Sequence, residues 1–144
     1  EDILDIAQQA GLEVASTVSH LELGLCAWSR GDNQTAQEEF EETRRGARGN
    51  LFVLEFYACV GQAWAFAAAR KWTDAEICLM QADDLRYDVR LHDPEAERLR
   101  QALRDLAVAA KRSDIIRRVD RLRAAISQRQ TDTVVAWSIS ETRA

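Results

Sequence analysis

Two stretches of the chain share one pattern, and this internal repeat restricts the fold more than any other feature. The first stretch reads LGLCAWSRGDNQTAQEEF from Leu23, and the second reads VGQAWAFAAARKWTDAEICLMQA from Val60. Each has an apolar segment with small residues, a short polar turn, and a second helical segment that opens with Ala36 or Ala75. A repeated helix–turn–helix is typical of a stacked array, in which each unit buries its apolar face against its neighbours. We therefore expect a binding scaffold rather than an enzyme.

The composition favours helices and excludes several classes of protein. The 144 residues are 47% apolar, which is enough for one domain with a buried core. One proline and six glycines are too few turn residues for an all-β fold. The net charge of −5 argues against nucleic-acid binding, because phosphate contacts need a concentrated basic surface. No apolar run approaches the ~20 residues that cross a bilayer, and no signal-peptide pattern is recognised. We expect a cytoplasmic protein that does not bind membranes.

Apolar spacing predicts an all-α fold of about seven helices. We expect Gly11 to end the first helix, Gly31 to end the second and Asp32 to cap the third, because these residue types favour helix ends and N-caps. The helical pattern fails after Gln128, which predicts a domain over residues 1–128 and an irregular tail or linker over residues 129–144. The seven predicted segments lie near residues 2–10, 13–30, 33–45, 51–70, 73–85, 95–111 and 113–128.

The first pair of helices resembles the tetratricopeptide repeat, a helix–turn–helix unit of about 34 residues. The resemblance lies in Leu23-Gly24 on the first helix, Gly31-Asp32 in the turn, and Ala36 and Phe40 on the second helix. We expect Gly24 to let the paired helix approach closely. Ala36 and Phe40 are expected to pack between helices as a small and a large residue.

The second and third units match the same repeat at fewer positions. The second has Arg70-Lys71 in the turn, where Gly-Asp is usual, and it keeps Phe66, Ala75, Leu79 and Ala82. The third matches at hydrophobic positions, which are Leu99, Leu103, Leu106, Ile115, Val119 and Leu122. Anchoring the units on Ala36, Ala75 and Ile115 gives spacings of 39 and 40 residues. The resemblance, which covers residues 17–128, implies a right-handed superhelical array of about three tetratricopeptide-like units.

In arrays of this family, the first helix of each unit lines a concave surface that commonly receives an extended peptide or a partner helix. An apolar segment of a protein partner is therefore expected to bind there, since tryptophan and tyrosine are frequent hot-spot residues. Two arginines would orient an acidic flank of that ligand. Carried to this chain, the groove residues are Leu21, Leu25, Trp28, Tyr57, Val60, Trp64, Arg100 and Arg104.

Each of these assignments has an alternative. A tryptophan at helical spacing also fits the protein core, which applies to Trp28 and Trp64. Arg100 and Arg104 also fit a solvated helix face, on which they would pair with Glu97 and other acids.

No catalytic residue, cofactor site or metal site is predicted. The three cysteines, Cys26, Cys59 and Cys78, lie in apolar helical segments, and we expect all three to be buried free thiols. His20 and Cys26 are six residues apart, which places them on different sides of a helix and excludes them as a pair of metal ligands.

Two alternative functions fit the same sequence. The chain begins with Glu1 rather than methionine, and we expect it to be a piece of a longer protein. Repeat spacings near 40 residues are similar to those of kinesin light chains and of large bacterial ATPase-type transcription regulators. In that alternative the chain is a regulatory segment that packs on neighbouring repeats or on a second copy. The other alternative is a small adaptor similar to the three-repeat chaperones of type III secretion.

Overall fold

The structure, a computed structural model, describes residues 3–49, 51–85 and 94–122. Within these ranges the chain is all-α and contains no strand, which confirms the predicted fold class. The predicted boundary at residue 128 and the predicted tail over residues 129–144 lie outside the described residues. The helices are α1 (Ile3–Ser29), α2 (Asn33–Ala47), α3 (Phe52–Ala68), α4 (Trp72–Leu85), α5 (Pro94–Ala109) and α6, which is described over residues 113–122.

The predicted helix break at Gly11 is wrong, because α1 is one continuous helix of 27 residues. Gly11 does not have the positive φ that ends a helix at glycine. A glycine inside a helix costs about 1 kcal/mol relative to alanine, which is too little to interrupt a helix that continues on both sides. The described ranges therefore contain six helices where the apolar spacing predicted seven.

Three tight turns of the same geometry join the helices into hairpins. The left-handed position of each turn is held by Gly31, Arg70 and Lys111, with φ of 77°, 61° and 58°. The amide that follows donates to the carbonyl five residues earlier, which satisfies the end of the preceding helix. These bonds are 2.8–2.9 Å long and run from Asp32 to Ala27, from Lys71 to Phe66 and from Arg112 to Ala107. The predicted stop at Gly31 is confirmed, and the later hairpins keep the turn without glycine.

Asp32 caps α2 as predicted, since its Oδ1 accepts a hydrogen bond from the Thr35 amide at 3.2 Å. Hydrogen bonds from the side chain and the backbone of Thr35 lower the pKa of Asp32 below its ordinary value. The cap therefore carries a negative charge at the positive end of the helix dipole.

Phe40 of α2 lies at the centre of the core that α1, α2 and α3 form. Its side chain is 0% exposed. A Cβ atom added to Gly24 of α1 would lie 2.7 Å from Phe40 Cε1, and one added to Gly61 of α3 would lie 2.7 Å from Phe40 Cδ2. The ring is thus held between two helix backbones that approach it because neither glycine has a side chain. The predicted role of Gly24 is confirmed, and Gly61 makes the matching contact on the other side.

Neighbouring hairpins pack against each other in two different ways. At the first junction α3 packs on α2 and also contacts α1, whereas at the second junction α5 packs on α3. In the described part of the chain, α4 does not come within contact distance of α5. Arg118 of α6 instead reaches α4, where its Nη2 donates to Glu76 Oε1 at 3.0 Å. As a result, α1, α3 and α5 lie side by side with α3 in the middle.

The N-terminal half of α1 extends beyond the helices that cover its C-terminal half. One stripe of α1 repeats at alternating steps of four and three residues, a spacing typical of a helix-packing seam. From Thr17 onward this stripe is buried or partly buried, but before Thr17 every described residue is exposed, with Ile3 at 83%. We call the exposed part, Ile3, Ala7, Ala10 and Val14, the α1 stripe. The buried part consists of Thr17, Leu21, Gly24 and Trp28.

Candidate partner-binding cleft

The structure divides the eight predicted groove residues into a buried set and a partly exposed set. Val60 is 2% exposed and belongs to the hydrophobic core, so it offers no surface to a partner. The accessible apolar surface is therefore narrower than the predicted groove. The buried residues are Leu21, Tyr57, Val60, Trp64 and Arg100, and the partly exposed ones are Leu25, Trp28 and Arg104.

The two predicted groove arginines are both paired with acids of the third hairpin. Arg100 is 7% exposed and pairs with Glu97, which lies one turn earlier on α5. Arg104 Nε donates to Asp120 Oδ1 of α6 at 2.8 Å, and this contact raises the pKa of Arg104. These are the contacts of the alternative assignment, although Arg100 is buried rather than on a solvated face.

An open cleft of about 330 Å³ lies beside Trp28, between α1 and α5. The indole of Trp28 is held edge-to-face against Trp64 of α3, with ring centroids 6.2 Å apart and an interplanar angle of 78°. The guanidinium carbon of Arg98 lies 5.9 Å from the centroid of the same indole, within the range of a cation–π interaction. We call this the Trp28 cleft; its lining residues are Glu22, Leu25, Cys26, Trp28, Ser29 and Arg98.

Arg98 brings positive charge from α5 to the cleft. Unlike Arg100 and Arg104, it forms no ion pair within residues 3–49, 51–85 and 94–122. Its guanidinium donors are therefore available to a carboxylate on a ligand. The cleft combines an apolar wall, made by Leu25 and Trp28, with one basic and one acidic residue at its rim.

The sequence pattern missed Arg98 because it aligned the third unit one residue out of register. The left-handed turn residues are separated by 39 and 41 residues, whereas anchoring on Ile115 gives 40 for the second interval. Aligned on the turns, Tyr57 corresponds to Arg98 rather than to Glu97. The dipeptides Arg70-Lys71 and Lys111-Arg112 carry this signal in the sequence, but neither contains the glycine that would have drawn attention to it.

Cys26 is exposed and lines the cleft, which corrects the prediction that all three thiols are buried. It follows Gly24 by two residues and therefore points to the side of α1 that faces away from Phe40. Cys59 and Cys78 are buried as predicted. Desolvation raises the pKa of Cys59 to about 12 and that of Cys78 to about 11.

We expect one thiol of three to react in the folded protein. Only Cys26 is accessible, and the other two are buried and protonated at neutral pH. Titration with an aromatic disulfide at pH 8 should release one equivalent of thiolate rapidly from the native protein and three from the protein in denaturant. Cys26→Ser should abolish the rapid phase, and rapid release from that variant would contradict the packing of Cys59 and Cys78.

The same pKa shifts predict how stability depends on alkaline pH. Both values lie above the ordinary 9.0, so the folded state holds its thiol protons more tightly than the unfolded chain. The free energy of unfolding should be insensitive to these groups below pH 9 and should fall as the pH rises towards 11 and 12. Urea unfolding of the native chain and of Cys59→Ala at pH 7.5 and pH 10 measures this difference.

The described ranges contain no group of three or more His, Cys, Asp or Glu side chains arranged to hold a metal ion. His20 Nδ1 instead lies 2.6 Å from Glu39 Oε2, a contact between α1 and α2. None of the described helices is both long and apolar enough to cross a membrane. No family model, no curated protein and no solved structure matches the chain.

Proposed function

We propose that the chain is a non-catalytic scaffold for protein–protein recognition, built as a right-handed superhelical array of tetratricopeptide-like hairpins. The proposal is supported by three hairpins that share one turn geometry and by first helices that lie side by side. Stacked helix pairs of this kind use their extended inner surface for binding. In this proposal the partner is a protein or peptide with an apolar segment.

The proposed binding site is the Trp28 cleft. The observation that carries the proposal is the partly exposed indole of Trp28, held in a fixed orientation by Trp64 and open to solvent beside Leu25. A rigid aromatic side chain offers a large contact area at a low cost in conformational entropy. An apolar side chain of the partner would pack on Leu25 and Trp28, and a neighbouring acidic residue of the partner would pair with Arg98.

Selection of random peptides against the immobilised chain tests the proposal. Enriched peptides are expected to share an apolar anchor next to an acidic residue. The exposed thiol of Cys26 allows the cleft to be blocked without a change in the core. Alkylation of Cys26 with a bulky maleimide should weaken binding of the selected peptides by about tenfold or more, because loss of one apolar anchor costs at least 1.4 kcal/mol.

The matched control is Cys26→Ser treated with the same maleimide, which should keep full affinity. Arg98→Gln should weaken peptides that carry the acid by about three- to tenfold and leave versions with a neutral residue unchanged. Selected peptides that bind equally before and after alkylation would contradict the site. Failure to enrich any peptide would contradict the function.

A second candidate is a repeat segment of a larger regulator, and the α1 stripe favours it. The stripe has the spacing of the seam that α2 and α3 cover further along the same helix. In this proposal a helical hairpin that precedes α1 in a longer protein covers the stripe. Val14→Asp should then change the free energy of unfolding of the 144-residue chain by less than about 0.5 kcal/mol, but destabilise the longer protein by several times more. An equal effect in both would remove this candidate.

A further inference from the structure

A second cleft, of about 220 Å³, lies between α2 and α3 and contains most of the arginines of α2. Arg45 is neutralised within α2, because it contacts Glu41 at 3.1 Å and Glu42 at 2.7 Å. The charges that remain to be explained are those of Arg44, Arg48 and Glu55. We call this the Arg44 cleft; its lining residues are Glu41, Arg44, Arg45, Arg48, Glu55 and Gln62.

Arg44 is partly buried and is held by two neutral groups. Its Nη1 donates to Gln62 Oε1 and its Nη2 donates to Gln81 Oε1, each at 2.6 Å. These bonds connect α2, α3 and α4 and fix the plane of the guanidinium. No carboxylate pairs with Arg44 in the described part of the chain. A guanidinium has five N–H donors, so three remain for other acceptors while the positive charge stays uncompensated.

Gln62 adds a buried donor to the same cleft. The residue is 4% exposed, and its oxygen faces Arg44, so its NH₂ group points away from the guanidinium. Within the described ranges no acceptor contacts that NH₂ group. A buried amide left without an acceptor costs about 1–3 kcal/mol. The cleft therefore offers an unsatisfied buried donor close to an uncompensated positive charge.

Arg48 and Glu55 complete the lining, and neither forms an ion pair with a described residue. Arg48 follows Arg44 by four residues and lies on the same side of α2, while Glu55 precedes Gln62 by seven residues and shares its face of α3. With Arg45 and Glu41 paired to each other, the unpaired lining charges are two positive and one negative. The cleft is thus net positive, with Glu55 as an internal negative charge.

We propose that the Arg44 cleft binds one oxyanion group, a carboxylate or a phosphate, through Arg44, Arg48 and the side-chain amide of Gln62. The oxygens of such a group accept hydrogen bonds from all three side chains, which compensates the guanidinium charge and satisfies the Gln62 donor. The volume equals that of about seven water molecules in the liquid, which admits one such group with a few waters. Glu55 competes with the anion by electrostatic repulsion.

Titration of the ¹⁵N-labelled full chain with sodium phosphate and, separately, with sodium acetate tests the proposal and distinguishes the two sources. Sodium chloride keeps the ionic strength constant. We expect a saturable shift of the Gln62 side-chain amide resonances with at least one anion, with a dissociation constant of about 1 mM. Saturation with one anion alone identifies the group that the cleft takes. Shifts that chloride reproduces, or that do not saturate with either anion, would overturn the proposal.

Four variants make the titration specific. Arg44→Gln should weaken binding by about tenfold or more. Because Arg44 also connects three helices, Arg48→Gln is the second test; its exposed, unpaired side chain can change without disturbing the fold, and binding should weaken about three- to tenfold. Glu55→Gln should strengthen binding by about threefold. The matched control is Arg45→Gln, which should keep the affinity within about twofold. An equal loss in Arg45→Gln and Arg48→Gln would indicate a diffuse basic surface and contradict the proposal.

Discussion

Phe40→Ala is expected to lower the free energy of unfolding by about 3–5 kcal/mol, the largest effect of any single substitution we predict. The ring is fully buried and contacts the backbones of α1 and α3 at the two glycines that face it. Its removal leaves a cavity that these helices cannot close without moving the hairpins relative to each other. Single domains are stable by about 5–15 kcal/mol, so the variant should be close to its unfolding threshold.

Urea unfolding followed by circular dichroism measures this effect. Ile77→Ala is the control, because Ile77 is a large apolar residue on α4 that is exposed to solvent; it should change the free energy of unfolding by less than about 0.5 kcal/mol. A loss of less than about 1 kcal/mol in Phe40→Ala would mean that the ring is not the centre of the α1–α2–α3 core.

Gly61→Ala is expected to destabilise the protein by about 1–2 kcal/mol, although alanine is the better helix former by about 1 kcal/mol. The new Cβ would lie 2.7 Å from Phe40 Cδ2 and 2.8 Å from Phe40 Cγ. The ring cannot retreat, because Gly24 contacts its opposite edge. Overpacking therefore outweighs helix propensity at this position.

A double-mutant cycle with Phe40→Leu isolates the contact between Gly61 and Phe40. In the Phe40→Leu background, Gly61→Ala should become neutral or stabilising, with a coupling energy of about 1–3 kcal/mol. Gly11→Ala is the matched control, because a Cβ atom at Gly11 meets nothing within 4 Å; it should not destabilise the protein. Strict additivity in the cycle would contradict the packing of the ring between the two helix backbones.

The fold class and most helix positions could be predicted from the apolar spacing, because the signal at steps of three and four residues is local. The break at Gly11 could not be predicted correctly, since glycine ends a helix only when the chain adopts a positive φ, and the sequence around Gly11 does not specify that. Gly61 was missed for a different reason. Gly24 and Gly61 are not at equivalent positions of the repeat, and only packing against the same ring relates them.

The candidate site was predicted in part. Trp28 and Leu25 are the accessible apolar residues of the first hairpin, as their spacing indicated. The equivalent stripe of α3 is buried because α1 and α5 pack on both sides of that helix, a consequence of hairpin stacking that a single helix pattern does not contain. Arg98 was missed by one residue, because repeats without turn glycines give no fixed point for their alignment.

The most direct test of partner recognition is a titration of the ¹⁵N-labelled chain with a peptide obtained by the selection described above. The indole Nε1–H resonance of Trp28 reports on the cleft, and that of Trp72, whose ring is 5.5 Å from the guanidinium carbon of Arg112, reports on a different surface. We predict that the largest shifts occur at Trp28, Leu25 and Arg98, with the Trp72 indole unchanged. Saturable binding that shifts Trp72 or the α1 stripe while Trp28 stays unchanged would contradict recognition at the Trp28 cleft.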